Sequence, residues 1–224
     1  NKEFLMKVGV LLSGSGVNDG SEIHESVLTM LFLDRSDTEI ILMAPNIDQM
    51  HVINHYTGQE MDEFRNVLVE SARIARGNIK DMAEISGDDI DALIVPGGFG
   101  VAKNLSDYAM SGAECSINPD VYRLISEMIL LKKPIGAICI APTMMAKILA
   151  EQNQSATMTI GKDKTTAKDI EAMGSTHKEC LVEEIVIDEV NNIVTTPAYM
   201  DAKNISEAAA GIEKLVKQII LMVK

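Results

Sequence analysis

Gly136-Ala137-Ile138-Cys139-Ile140-Ala141-Pro142 is the stretch on which the reading of this chain turns. It ends the apolar run Ile135 to Ile138, which reads as a buried strand, and leads into Pro142 to Leu149, which reads as a short helix. A cysteine therefore stands at a strand-to-helix corner. Ala137 and Ala141, two positions away on either side, are both small, as a nucleophile held on a sharp, strained turn requires. Pro142 suits the first turn of the following helix. A thiol above a helix N-terminus feels the positive end of the dipole. The position thus predicts a lowered pKa and a raised thiolate fraction for Cys139. Cys115 and Cys180 lack such a context and read as chemically idle.

The same alternation runs through the rest of the chain. Lys7 to Leu12, Ile40 to Met43 and Ala92 to Val95 are short apolar runs closed by Gly/Ser, Pro45 and Pro96-Gly97-Gly98. Such runs are buried parallel strands. Helices are expected over Ser21 to Arg35, with Ile23, Val27, Met30, Leu31 and Asp34 in register, and over Asn66 to Ala75, closed by Gly77. A further helix spans Pro119 to Leu131 behind an Asn118 N-cap. Met158 to Ile160 reads as a strand, Thr166 to Met173 as a helix before Gly174, and Ser206 to Val223 as a closing amphipathic helix. Ile185 to Asp188 and Ile193 to Thr195 flank Asn191-Asn192 as a hairpin would. Alternating strands and helices specify an α/β layered fold with a mostly parallel sheet, read as one domain over 1–224.

Composition narrows the function. The 224 residues carry 20 basic and 33 acidic side chains, a net charge of −13. That argues against nucleic acid and against an anionic membrane surface, both of which are held by Lys and Arg. No apolar run approaches the ~20 residues of a membrane span. Val8 to Leu12 is too short for a signal peptide and is followed by Ser13-Gly14-Ser15-Gly16 rather than a cleavage site. Met6-Lys7 reads as an original start. Three cysteines without a C-x-x-C indicate a reducing, cytoplasmic setting with free thiols.

Ligands of such sheets bind beyond the carboxyl ends of the strands. After the first strand, Gly14-x-Gly16 lacks the third glycine of a dinucleotide fingerprint, since Asp19 stands there. Glu22 and Glu25 follow, three apart and so on one helical face at the ligand end. After the third strand, Gly97, Gly98 and Gly100 free backbone N–H groups to face the cleft, as an oxyanion site needs. His51 and His55 have helical metal-ligand spacing without a following Glu, and read as a surface or packed pair. No histidine accompanies Cys139, so a carboxylate is the better proton carrier.

These segments, together with Val52-Ile53-Asn54-His55, Arg65 to Leu68, Lys103 to Ser106 and Thr195 to Met200, resemble the ThiJ/PfpI superfamily within the class I glutamine amidotransferase-like fold. They resemble more closely its enhancing-lycopene-biosynthesis (ElbB-like), glyoxalase-like branch. The resemblance implies a flavodoxin-like three-layer sandwich, a homodimer, and a link to isoprenoid biosynthesis. It implies Cys139 as nucleophile, Glu25 as its hydrogen-bonding carboxylate with Glu22 as second acid, and the Gly98 and Ile140 amides beside Gly97 as the oxyanion site. Ile140 replaces the histidine many relatives carry there, and Thr159-Ile160-Gly161 stands where others carry one. Peptidase activity is therefore not implied. The expected activity is a glyoxalase, classed as a lyase of hydro-lyase type, that needs neither glutathione nor metal. It would turn glyoxal or a similar dicarbonyl into a hydroxy acid. A non-enzymatic redox or stress sensor, or an interaction protein, is the alternative. A glutaminase module ranks lower, because Thr195 to Tyr199 lacks the late His and Glu of that chemistry.

Overall fold

The computed structural model describes residues 5–223. In chain order its elements are β1 (Lys7–Leu11), α1 (Ile23–Asp34), β2 (Glu39–Ala44), α2 (Val67–Ile74), β3 (Lys80–Asp81) and β4 (Ala92–Val95). A π-helical turn (Val101–Leu105) and the one-turn helix α3 (Tyr108–Ser111) lead into α4 (Pro119–Leu130), β5 (Ile135–Ile138) and α5 (Ala141–Glu151). Then follow β6 (Thr157–Met158), α6 (Lys164–Ala172), β7 (Thr176–His177), β8 (Val186–Asp188), β9 (Ile193–Thr196) and α7 (Ile205–Val223). The main sheet has seven strands in the order β3-β2-β1-β4-β5-β9-β8. Every pairing in it is parallel except β8 with β9.

The apolar runs form strands because both faces of the sheet are covered. Every residue of β4, β5 and β9 is buried. Alternate residues serve opposite layers. Leu93 and Val95 pack with Leu124, Met128 and Ile148 of α4 and α5, whereas Val8, Val10 and Ile94 pack with Leu33, Ile212 and Leu215 of α1 and α7. This is the flavodoxin-like α/β sandwich. Val8 to Leu12 belongs to its core, which accounts for the apolar character of that run. Asn118 caps α4 as expected, its side chain accepting from the Asp120 and Val121 amides.

Two expectations change. The stripe Ile23, Val27 and Leu31 on α1 is exposed, and the buried face carries Glu25, Ser26, Thr29, Phe32 and Leu33. Ser26 Oγ and Thr29 Oγ1 donate to the carbonyls of Glu22 and Glu25, both at 2.7 Å, so their burial leaves no hydroxyl unsatisfied. Apolar periodicity therefore marks the wrong side of this helix. Met158 to Ile160 is not a strand of the main sheet either. Only Thr157–Met158 is extended, paired in parallel with β7 in a separate two-stranded sheet. There the Thr159 amide turns to Thr195 Oγ1 at 2.9 Å.

Asn104, in the π-helical turn, ties three loops at the ligand end of the sheet. Its Nδ2 donates to the Ser13 and Asp19 carbonyls, each at 2.9 Å, and its Oδ1 accepts from the Met50 amide at 2.9 Å. Asn104→Ala strands these buried groups and should cost roughly 2–4 kcal/mol. Thermal unfolding should show Tm falling by roughly 6–12 °C for a chain of this size. An unchanged Tm would show that the tie contributes nothing.

Candidate functional site

Strand β5 delivers Cys139 to the ligand end of the sheet. Its backbone sits at φ 62°, in the left-handed region that costs an L-residue with a Cβ about 1 kcal/mol or more. This is the strained corner that the small flanks predict. The Cys139 amide donates to Thr196 O at 3.0 Å, which fixes the corner against β9. α5 begins at Ala141 with Pro142 in its first turn, so the thiol lies over that helix's N-terminus. The amides of Gly98 and Ile140 both point at Sγ.

Glu25 arrives from α1, its carboxyl hydrogen-bonded to Cys139 Sγ. Its Oε2 accepts from the Gly97 amide at 2.8 Å and its Oε1 from the Tyr199 amide at 3.2 Å. Loops after β4 and β9 thus hold one carboxyl against one thiol. The approach is close enough that residue 97 must lack a side chain. A Cβ there would lie 2.5 Å from Cys139 Cβ and 2.6 Å from Glu25 Oε2. Gly98, at φ 98°, passes the first loop as tightly, and a Cβ would strike Gly20 O and Glu22 N.

Glu22 is not on the helical face it was expected to share with Glu25. It is the N-cap of α1, with Oε2 accepting from the Glu25 amide at 2.7 Å. It is half-buried and lines the cavity above Cys139. That cavity encloses about 540 Å³ and includes Gly98, Cys139, Ile140 and Tyr199. The sequence-predicted residues are therefore brought together, in two tiers: Cys139, Glu25 and the three amides below, Glu22 on the wall.

Electrostatics overturns one expectation. Burial, and then the charge of Glu25, push the Cys139 thiol well above its ordinary range. The Gly98 and Ile140 amides act the other way without prevailing. A dipole acts within a single turn, whereas desolvation penalises the anion wholly. Burial also pushes Glu25 up to about 8, helped by the neighbouring Glu22 charge. The two groups titrate as a pair, and the first proton leaves from the carboxyl. Cys180 is raised by burial and Cys115 is pushed up to about 11 for the same reason.

His24 and Tyr199 complete the rim. His24 Nδ1 and Tyr199 OH are 2.7 Å apart, so an exposed imidazole meets a cavity-lining phenol. Neither was legible as a site residue, since they are 175 positions apart. His51 and His55 are not on a helix. His55 donates from Nδ1 to Ile53 O at 3.0 Å and accepts at Nε2 from the Asn18 amide at 3.1 Å, packing the first loop.

Residues 16–208 match the DJ-1/PfpI family. The chain is similar to the "ES1 protein homolog, mitochondrial" of Rattus norvegicus, at 41% identity over 96% of this chain and 83% of that one. It is similar at 42% identity to the human "Glutamine amidotransferase-like class 1 domain-containing protein 3, mitochondrial", over 96% and 82% of the two chains. An isoprenoid biosynthesis protein with amidotransferase-like domain from Ehrlichia chaffeensis superposes with a TM-score of 0.91 at 37% identity, over 98% of this chain and 100% of that one. A DJ-1 point mutant from Schizosaccharomyces pombe, at 19% identity and a TM-score of 0.57 over 96% and 91% of the two chains, shares the fold. The mitochondrial names of the first two relatives overturn the cytoplasmic expectation. Unpaired cysteines report a reducing environment and do not specify which compartment supplies it.

The raised carboxyl has a consequence for stability. Between pH 4.5 and about 8 the folded chain keeps a proton on Glu25 that the unfolded chain has lost. Stability therefore falls as pH rises through that window, by up to roughly 4–5 kcal/mol. Glu25→Gln removes the titration. The unfolding free energy of wild type relative to this variant, from urea titrations, should fall by roughly 3 kcal/mol between pH 5 and pH 8. A difference independent of pH would show that Glu25 is not buried neutral.

Proposed function

The chain belongs to the DJ-1/PfpI family, and from that membership we propose that it is a glutathione-independent, glyoxalase-like enzyme. The observation that carries this reading is the buried Glu25 carboxyl hydrogen-bonded to Cys139 Sγ, with the Gly98 and Ile140 amides aimed at the same atom. That set supplies a nucleophile, a proton carrier and two donors for a developing oxyanion. A high-pKa thiol is an intrinsically strong nucleophile once its proton is removed, and the Glu25 carboxylate is in contact to remove it.

In the proposed reaction Sγ bonds to one aldehyde carbon of glyoxal, and its proton passes through Glu25 to the aldehyde oxygen. The hemithioacetal forms with its oxygen facing the Gly98 and Ile140 amides. A carboxylate then takes the C–H proton from that carbon and a proton returns to the neighbouring carbon, while the hemithioacetal hydroxyl gives up its proton to the neighbouring oxygen, leaving a thioester of glycolic acid. Water hydrolyses the thioester and restores the thiol. One carbon is oxidised and its neighbour reduced by the same electron pair, so the sum is glyoxal plus water to glycolic acid. Glu25, in contact with Sγ, is the main proton carrier. Glu22, on the cavity wall, is the secondary one. We place the activity in isoprenoid metabolism on the strength of the Ehrlichia relative's name.

Cys139→Ser should abolish steady-state glyoxal turnover, and Glu25→Gln should lower it by about 100-fold or more, the scale of general-base catalysis. Glu22→Gln should cost less. Because Glu25 must be ionised to act and is pushed up to about 8, wild-type turnover should rise with pH to half its maximum near that value. Full activity in Glu25→Gln, or a rate that falls between pH 6 and 9, overturns the assignment.

We also propose a homodimer, supported by the exposed apolar stripe Ile23, Val27 and Leu31 on α1. Light scattering at micromolar protein should return twice the 24.4 kDa chain mass. A monomer mass would refute it.

A further inference from the structure

Glyoxal is small for the cavity that would receive it. The space above Cys139 encloses about 540 Å³. Four heavy atoms, at the ~30 Å³ each water takes in the liquid, fill roughly 120 Å³. Cavities of the observed size ordinarily enclose much larger ligands. The walls around the thiol are largely apolar, formed by Val17, Phe99, Ala102, Ala109, Ile140 and Met200. Phe99 is half exposed at the mouth.

The charge on the walls has one sign. Glu22, Asp163 and Asp169 line the cavity, and among the described residues no lysine or arginine does. Asp169 accepts from Tyr108 OH at 2.6 Å, and Asp163 caps α6 by accepting from the Thr166 amide at 2.7 Å. These bonds hold the carboxylates in place without neutralising them. Lys103, near the mouth, is committed to Asn18 O at 2.8 Å and lies over the Phe99 ring.

Resting on the reading of Cys139 as a carbonyl nucleophile, we propose that this cavity selects 2-oxoaldehydes bearing an uncharged apolar group, an aryl group above all, and rejects phosphorylated or carboxylated ones. Sγ bonds to the terminal aldehyde carbon, and the substituent lies along the apolar wall toward Phe99. The chemistry balances as for glyoxal. The aldehyde carbon is oxidised to the thioester, the keto carbon is reduced to a secondary alcohol, and water releases R–CH(OH)–COOH. No external oxidant or reductant enters.

Three substrates test the proposal: glyoxal, phenylglyoxal and 4-carboxyphenylglyoxal. Burying the ring should raise kcat/KM for phenylglyoxal over glyoxal by about 10-fold or more. The carboxylate should lower kcat/KM by roughly 10-fold against phenylglyoxal, and Asp169→Asn should narrow that second gap. A parallel measurement needs no turnover. Peptide mass spectrometry at alkaline pH gives the rate of Cys139 alkylation by N-benzyliodoacetamide and by iodoacetate, each divided by its rate on the urea-unfolded chain. The benzyl reagent should be favoured by about 10-fold or more on the same grounds. If glyoxal turns over and phenylglyoxal is no better, or the anionic analogue is equally good, the selectivity is wrong and the glyoxalase reading stands. If no dicarbonyl turns over while the alkylation preference holds, the glyoxalase reading fails and the cavity's selectivity stands. Equal normalised alkylation by both reagents overturns the selectivity whatever the turnover.

Discussion

The backbone of Gly97 and Gly98 passes between Cys139 and the start of α1 with no room for a side chain, and the whole site hangs on that steric limit. Gly97 donates its amide to Glu25, and its carbonyl accepts from the Glu22 amide at 2.9 Å. Gly100 donates to Gly20 O at 2.8 Å, and Phe99 to Val17 O at 2.8 Å. The loops that follow β1 and β4 are thereby locked in register by main-chain hydrogen bonds. A side chain at 97 would separate the carboxyl from the thiol by about the width of a methyl group, and hydrogen bonds do not survive that distance. The glycines thus act on function through distance, by permitting contact between residues 114 positions apart in the chain.

Within that frame, burial outweighs the helix dipole. The N-terminus of α5 and two amides favour a thiolate, yet the thiol sits above its ordinary range because water is excluded and a carboxyl shares its proton. A neutral pair is the low-energy form at rest. Reactivity then requires the carboxyl to ionise first, after which one proton moves from thiol to carboxylate between two atoms already in contact. The neutral pair also moves the nucleophile away from the low-pKa regime in which cysteines are oxidised most readily.

The cavity adds a second level of organisation. Its floor is polar and fully engaged, while its walls are apolar with acidic residues fixed by caps and a phenol. Chain-wide acidity of −13 is usually a matter of solubility, but here part of it is concentrated where a ligand would enter. The same charges that stabilise helix starts at Glu22 and Asp163 set the field at the mouth. Structural and ligand-facing roles coincide in those residues.

Local pattern was enough to read the layered α/β plan, the strands β1, β4, β5 and β9 to within a residue, and the Asn118 cap. Buried parallel strands are continuous apolar runs, and caps are local hydrogen-bonding motifs. It was enough for the corner at Cys139 too, because such a strained turn calls for small residues two positions to either side, here Ala137 and Ala141. The remainder emerged only from packing. The inner face of α1 is set by the cleft it packs against, so polar Glu25, Ser26 and Thr29 are inside while Ile23, Val27 and Leu31 are outside. Glu22 became a cap rather than a face residue because the chain turns at Gly97 O. His24 and Tyr199 meet only through the placement of β9, and Asn104 acts only where three loops converge. The sign of the Cys139 shift was undecidable from local motif, since desolvation is a property of everything packed around the atom and the dipole a property of one helix end.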